Sequence, residues 1–137
     1  MEFISNSYDD TLAFGREIGS SLKGGEVILL IGELGCGKTV LTKGIAEGIG
    51  IKETITSPSF TILNIYDGPL FLYHFDFYRI DDKGEMEDLL EDYLYLKDGV
   101  VVIEWGEKVI ELLDSYILVE IEISDPSRKI KITRKGF

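Results

Sequence analysis

Residues 26–39 read EVILLIGELGCGKT, and the order of residue types in that stretch decides the fold. The apolar run suits a strand buried on both faces of a parallel sheet. Gly32, four intervening residues, then Gly37, Lys38 and Thr39 follow at once, which is the spacing of a phosphate-binding loop. Gly32, Gly35 and Gly37 are expected to free the backbone for positive φ and close approach to a ligand. Successive N–H groups of the loop would then form a nest for phosphate oxygens. A helix predicted from about Lys38 adds the positive end of its dipole. Lys38 offers a point charge to β- and γ-phosphates, and Thr39 a hydroxyl to Mg²⁺. The competing reading is a glycine-rich turn with an incidental lysine. Chance alone would match the fixed positions in about one chain of this size in a hundred, and here strand and helix flank the match as the mechanism requires.

With 137 residues, 45% hydrophobic and 28% charged, the chain reads as a single P-loop domain over 1–137 with a real core. No stretch approaches the ~20 apolar residues of a membrane span, so no membrane association is expected. The start, MEFISNSYDD, lacks the basic and apolar regions of an export signal. Cys36, the single cysteine, fits a reducing compartment, and the expected location is cytoplasmic. The net charge of −11 repels phosphate polymers at long range and disfavours autonomous nucleic-acid binding. Residues 81–92, DDKGEMEDLLED, are the most acidic run, read as a solvated helix face with a docking surface for a basic partner as the alternative.

The remaining elements follow from periodicity. SYDDTLAFGREIGSSL predicts a helix capped by Ser7 with Asp10, with Leu12, Ile18 and Leu22 in one stripe. Leu41, Ile45 and Ile49 mark the face of the next helix, with Gly48 and Gly50 ending it. FTILNIY and LFLYHFDF read as a hairpin around DGP, GEMEDLLEDYL as a helix, VVVIE as a buried strand and EKVIELL as a short helix. YILVEIEI and KIKIT alternate, and SDPSR between them predicts a hairpin with Glu120 and Glu122 facing Lys129 and Lys131. The fold class expected is α/β, a P-loop NTPase-like three-layer sandwich. Its mixed sheet has a parallel core and an antiparallel C-terminal hairpin.

A phosphate loop needs a carboxylate at the end of a neighbouring strand, usually aspartate. Glu104 and Asp76 both close apolar runs, and either suits metal coordination or the orientation of water. Alone, Glu104 would read as a solvated strand end and Asp76 as an ion-pair partner of Arg79. His74, the only histidine, shares a strand face with Asp76 and reads as a structural, hydrogen-bonded group. Trp105 reads as packing beside the site. Ser57 and Ser59 in TSPSF form either an ordinary turn or a segment sensing the γ-phosphate. Oxidation of Cys36 would crowd the phosphates.

GELGCGKT, TSPSF, HFDFYR and IEW, in that order, make the chain resemble the TsaE (YjeE) family along nearly its whole length. The resemblance implies a P-loop ATPase that binds and hydrolyses ATP with Mg²⁺ in threonylcarbamoyladenosine modification of tRNA. It implies protein partners, the TsaD–TsaB complex, with tRNA met only indirectly through that complex. Hydrolysis would reset the assembly between turnovers. Leu34 to Thr39 would hold the phosphates, Thr39 and Glu104 the metal, and Asp76 would support hydrolysis. Catalysis would thus rest on Lys38, Asp76 and Glu104, while Tyr8 and the region of Ser127 and Arg128 would complete the base pocket. Cys36 stands where alanine is common, Ser59 where threonine is commoner, and Gly106 near the usual proline. The runner-up is a small-molecule kinase, which would need an arginine-bearing lid that Arg16, Arg79, Arg128 and Arg134 do not form in sequence. A nucleotide-gated binding module with little hydrolysis is the non-enzymatic alternative. No guanine-reading N-K-x-D is present; LKDG is a partial echo.

Overall fold

The computed structural model describes residues 1–33, 35–58 and 60–136; Leu34 and Ser59 of the sequence reading lie outside the described residues. Seven strands form one sheet: β1 (Glu2–Ser5), β2 (Val27–Ile31), β3 (Leu63–Tyr66), β4 (Phe71–Asp76), β5 (Gly99–Glu104), β6 (Tyr116–Ser124) and β7 (Ser127–Lys135). The spatial order is β1-β7-β6-β2-β5-β4-β3. Strands β6, β2, β5 and β4 pair in parallel, whereas β3 on β4, β7 on β6 and β1 on β7 are antiparallel. The parallel core and the C-terminal hairpin are as expected. Strand β1, too short to show an alternating pattern, was not anticipated.

Helices α1 (Tyr8–Ser21) and α2 (Lys38–Ile49) cover one face of the sheet, over Ile28, Leu30, Val102, Ile117 and Val119. Helix α3 (Lys83–Glu91) lies on the other, where Met86 and Leu90 meet Leu29, Phe75 and Ile103. The predicted helix in EKVIELL is instead two short 3₁₀ turns, Gly106–Lys108 and Ile110–Leu112, meeting at Val109 (φ −124°). The sandwich is therefore three layers deep over β2, β5 and β4. Beyond β2 the second face presents the charge pairs expected of the hairpin, Glu120 opposite Lys131 and Glu122 opposite Lys129, and Lys129 also reaches Glu2 at 3.5 Å. Among the described residues no helix is long and apolar enough to cross a membrane.

The contact between α1 and α2 is made by glycines. A Cβ on Gly19 would collide with the Ile45 carbonyl oxygen, and one on Gly48 with that of Arg16. Gly15 and Gly44 approach each other in the same way. The buried stripe of α1 is accordingly Thr11, Phe14, Gly15 and Gly19; of the stripe that periodicity gave, Ile18 and Leu22 pack partly buried against the core, and Leu12 is only half-buried. Gly48 does not end α2. It packs inside it, and Gly50 alone forms the left-handed cap at φ 104°.

Gly48→Ala should destabilise the protein by about 2 kcal/mol or more, because two backbones must separate, lowering Tm by roughly 6 °C. Gly84→Ala, on the exposed first turn of α3 where the nearest obstacle is the tip of the Asp82 side chain, should change Tm little. Calorimetric melting of both variants checks this; equal Tm values would contradict the close helix contact.

Candidate functional site

The register of the parallel strands builds the site. Leu30 of β2 pairs with Glu104 of β5, and Glu104 pairs with Asp76 of β4, so both carboxylates stand level at the carboxyl ends of adjacent strands. Ligands of open α/β sheets bind at that edge. After six intervening residues beyond β2, Lys38 begins α2. Lys38, Asp76 and Glu104 are 6%, 6% and 4% exposed, three buried charges around one cleft of about 340 Å³. Thr39, Ser57, Tyr78 and Trp105 complete its walls with Gly35 and Gly37.

The loop takes the left-handed backbone at Gly35 (φ 80°) and Gly37 (φ 110°). Gly32 does not, contrary to expectation. Its lack of a side chain answers to space, since a Cβ there would lie 2.6 Å from Cys36 Sγ and 2.7 Å from the Ile121 carbonyl oxygen. Helices α1 and α3 are capped by side chains, Ser7 accepting from the Asp10 N–H and Asp82 from the Glu85 N–H. The N-cap of α2 is Gly37, with no side-chain cap. The first N–H groups of α2 are thus left for an anion, as a phosphate site needs.

Lys38 Nζ donates to the Gly32 carbonyl at 2.7 Å and lies 4.5 Å from the centroid of the Trp105 ring. The lysine is held over the mouth of its own loop by one carbonyl and one aromatic face. Trp105 takes a left-handed backbone at φ 64°, which costs about 1–2 kcal/mol in a non-glycine residue. The next residue, Gly106, accommodates this turn by approaching Leu29 so closely that a Cβ would collide with it. Tyr78 packs against Trp105 at a tilt of 43°, with centroids 5.0 Å apart. Lys108 braces the Tyr78 segment: its ammonium donates to the carbonyls of Phe77 and Ile80 at 2.9 Å each, to Tyr78 at 3.3 Å and to the Asp81 carboxylate at 3.2 Å.

Neighbouring groups hold the carboxylates. The Tyr78 N–H donates to Asp76 Oδ1 at 2.9 Å, and His74 Nε2 lies 2.8 Å from Glu104 Oε2. The Arg79 guanidinium sits over the Phe60 ring at 4.7 Å. The expectation of a hydrogen-bonded His74 holds, but its partner, thirty residues away, was not foreseen; nor was the role of Lys108. Only the shared face of His74 and Asp76 pointed toward the first.

A second cavity of about 250 Å³ opens on the far side of the loop, sharing Gly35, Gly37 and Val40 with the first. Tyr8 and Arg128 both line it, with the buried Ser5–Thr11 hydroxyl pair (2.6 Å) at its base. Of the residues read from sequence as phosphate, metal and base contacts, Gly35 to Thr39, Asp76, Glu104, Tyr8 and Arg128 line these two adjoining cavities, whereas Gly32 lines neither and Leu34 lies outside the described residues. Among the described residues no cluster of three or more His, Cys, Asp or Glu side chains makes a closed metal cage. One buried carboxylate or two beside a hydroxyl fit magnesium, which is commonly held by few protein ligands together with substrate phosphates.

The family profile described as "Threonylcarbamoyl adenosine biosynthesis protein TsaE" matches residues 5–134. The tRNA threonylcarbamoyladenosine biosynthesis protein TsaE of Treponema pallidum is 40% identical over 134 residues, spanning 96% of this chain and 99% of that protein. Its namesake from Bacillus subtilis is 40% identical over 131 residues, 93% of this chain and 82% of that one. The crystal structure of Bacillus subtilis YdiB superposes with a TM-score of 0.84 at 34% identity, covering 99% of this chain and 86% of that one.

Cys36 is 1% exposed, and burial pushes its thiol pKa up, with the positive charge of Lys38 only partly opposing the shift. A raised pKa leaves less thiolate at any given pH, which works against oxidation of Cys36. Alkylation by iodoacetamide at pH 8 should run at least about tenfold slower in the folded protein than in denaturant. Equal rates, followed by mass spectrometry, would place the thiol at the surface.

Proposed function

The chain belongs to the TsaE family, proteins of tRNA threonylcarbamoyladenosine biosynthesis, and from that premise we propose that it is the ATP-binding, magnesium-dependent ATP-hydrolysing component of that machinery, acting in the cytoplasm with a TsaD–TsaB complex. The observation that carries the reading is the meeting of three buried charges, Lys38, Asp76 and Glu104, at the uncapped start of α2. Buried carboxylates side by side repel each other, and a cation with a polyphosphate would offset that repulsion and complement both signs.

In this reading the loop amides and the α2 N-terminus hold the phosphates, and Lys38 turns from the Gly32 carbonyl to the β- and γ-phosphates. Thr39 and Glu104 would hold magnesium, which when bound neutralises charge building on the phosphate oxygens. Asp76, its Oδ1 already taken by the Tyr78 N–H, orients water toward the γ-phosphorus. Water adds there as the bond to the β–γ bridging oxygen breaks, giving ADP and phosphate. The aromatic pair Tyr78 and Trp105 limits bulk water at the cleft. Tyr8 and Arg128 would contact the base and ribose from the second cavity.

The cleft lining contains no arginine among the described residues. Arg16 pairs with Glu47, and Arg128 contacts Asp125. The kinase alternative, which relies on arginines to clamp the transferred group, gains no support from this arrangement.

Phosphate release from ATP, measured with and without purified TsaD–TsaB, should require magnesium and rise when the partners are added. Lys38→Ala should lower turnover on the order of a hundredfold while melting like the parent. Wild-type turnover in Lys38→Ala would refute the site. Nucleotide-dependent complex formation with no partner-stimulated hydrolysis would favour a binding module instead.

The net charge of −11 adds a separate expectation: the isolated chain should show no salt-sensitive tRNA binding in filter or anisotropy assays at physiological salt. Tight binding there would contradict the assignment of tRNA contact to the partners.

A further inference from the structure

Resting on the reading of the cleft as a magnesium–nucleotide site, we propose that His74 is a positioning residue for Glu104. It would fix which carboxylate oxygen that side chain presents to the metal. His74 lies two residues before Asp76 on β4 and pairs with Val102, two residues before Glu104 on β5. Its imidazole is therefore one step deeper along the strands than the two carboxylates, and its bond to Glu104 Oε2, 2.8 Å long, crosses from β4 to β5. The ring is fully buried.

The other ring nitrogen gives the argument its weight. His74 Nδ1 is buried and has no hydrogen-bond partner among the described residues. Burying an unpaired polar atom is unfavourable, and an aliphatic side chain between Tyr73 and Phe75 would avoid that penalty. Among the described residues the polar contact of the imidazole is its bond to Glu104. A carboxylate facing Nε2 requires the hydrogen on that nitrogen, so the ring donates and Nδ1 keeps a bare lone pair.

Glu104 needs such a donor for a physical reason. Glutamate has one more rotatable bond than aspartate, the usual residue at this kind of strand end, and so more freedom to lose on ordering. Asp76, in register beside it, also repels it. The Tyr78 N–H draws Asp76 Oδ1 one way, and His74 holds Glu104 Oε2 another. One Glu104 oxygen is thereby committed to the protein and the other is left for the cleft. Partners that orient a metal ligand commonly change metal affinity 10–100-fold when removed, which is about the effect expected here.

The test reads metal-assisted binding, apart from turnover. ADP affinity is measured by calorimetry in magnesium and in EDTA for the parent, His74→Leu, His74→Gln, Glu104→Ala and His74→Leu/Glu104→Ala. In the parent, magnesium should tighten ADP binding. His74→Leu should lose about tenfold of that gain and bind ADP in EDTA like the parent. His74→Gln, whose amide N–H can replace the Nε2 donor, should recover most of the gain. The double variant should be no weaker than Glu104→Ala alone, since His74 acts through that carboxylate. Should His74→Leu fail to fold, His74→Asn, whose shorter amide falls short of Glu104, takes its place. A full magnesium gain in His74→Leu would overturn the proposal. So would an equal loss in EDTA, or additive losses in the double variant. A parent indifferent to magnesium would instead bring down the reading of the cleft itself, and this inference with it.

Discussion

Parallel pairing of β2, β5 and β4 is the constraint on which the rest depends. It ends three strands at one level and so sets Asp76 beside Glu104, with the loop to α2 rising next to them. Antiparallel neighbours would have carried one carboxylate to the opposite edge. The pairing also forces the charges into poor company: two carboxylates and one ammonium, all nearly buried, between walls formed in part by Val40, Tyr78 and Trp105. Local partners hold each of them. Lys38 has the Gly32 carbonyl and the Trp105 face, Asp76 the Tyr78 N–H, and Glu104 the His74 ring. Such a cleft is organised before any ligand arrives, and electrostatic contacts made by fixed groups lose least to reorganisation.

What was legible in the sequence was local. GELGCGKT carries its own geometry in glycine positions, and the strand before it shows as unbroken apolar residues. Asp76 and Glu104 stood out because each ends an apolar run, which is also a local property. Their adjacency was not legible, because it depends on β4 choosing β5 as neighbour. The same limit hid the His74–Glu104 bond and the hold of Lys108 on carbonyls some thirty residues away. Glycines misled for a related reason. Gly48 read as a helix terminator, the usual local meaning, while its purpose here is close approach to Arg16 in another helix. The two 3₁₀ turns after Trp105 failed to show because their apolar spacing over seven residues also fits one α-helical turn or two.

The helix contact bears on the site as well as on stability. Helix α1 begins at Tyr8, on the second cavity, and α2 begins at Lys38, on the first. Because their glycine faces meet backbone to backbone, neither helix can slide on a cushion of side chains. The second cavity and the first cleft are therefore held at a fixed separation by main-chain packing. The Ser5–Thr11 hydroxyl bond and the pairing of β1 with β7 extend that fixation to Arg128 on the far wall. An N-terminal strand of four residues, easily dismissed from its length, thus helps to set the reach between the two cavities.

Charge explains how such a chain serves tRNA chemistry without being shaped for tRNA. A net charge of −11 works against phosphate polymers at every distance where screening is weak. On the proposed reading a small polyphosphate in the cleft would escape that repulsion, because there Lys38 and the helix end would act within a few ångströms and in a medium of low polarity. The chain would then separate two kinds of phosphate by length scale. A nucleotide would fit within the reach of the local positive field, whereas a polynucleotide would also face the acidic surface around it. The bare charged face of β6 and β7 does not alter that balance, since Lys129 and Lys131 stand opposite Glu122 and Glu120. In the proposed assembly the energy of ATP and the grip on tRNA reside on different chains, and the acidic surface keeps them apart.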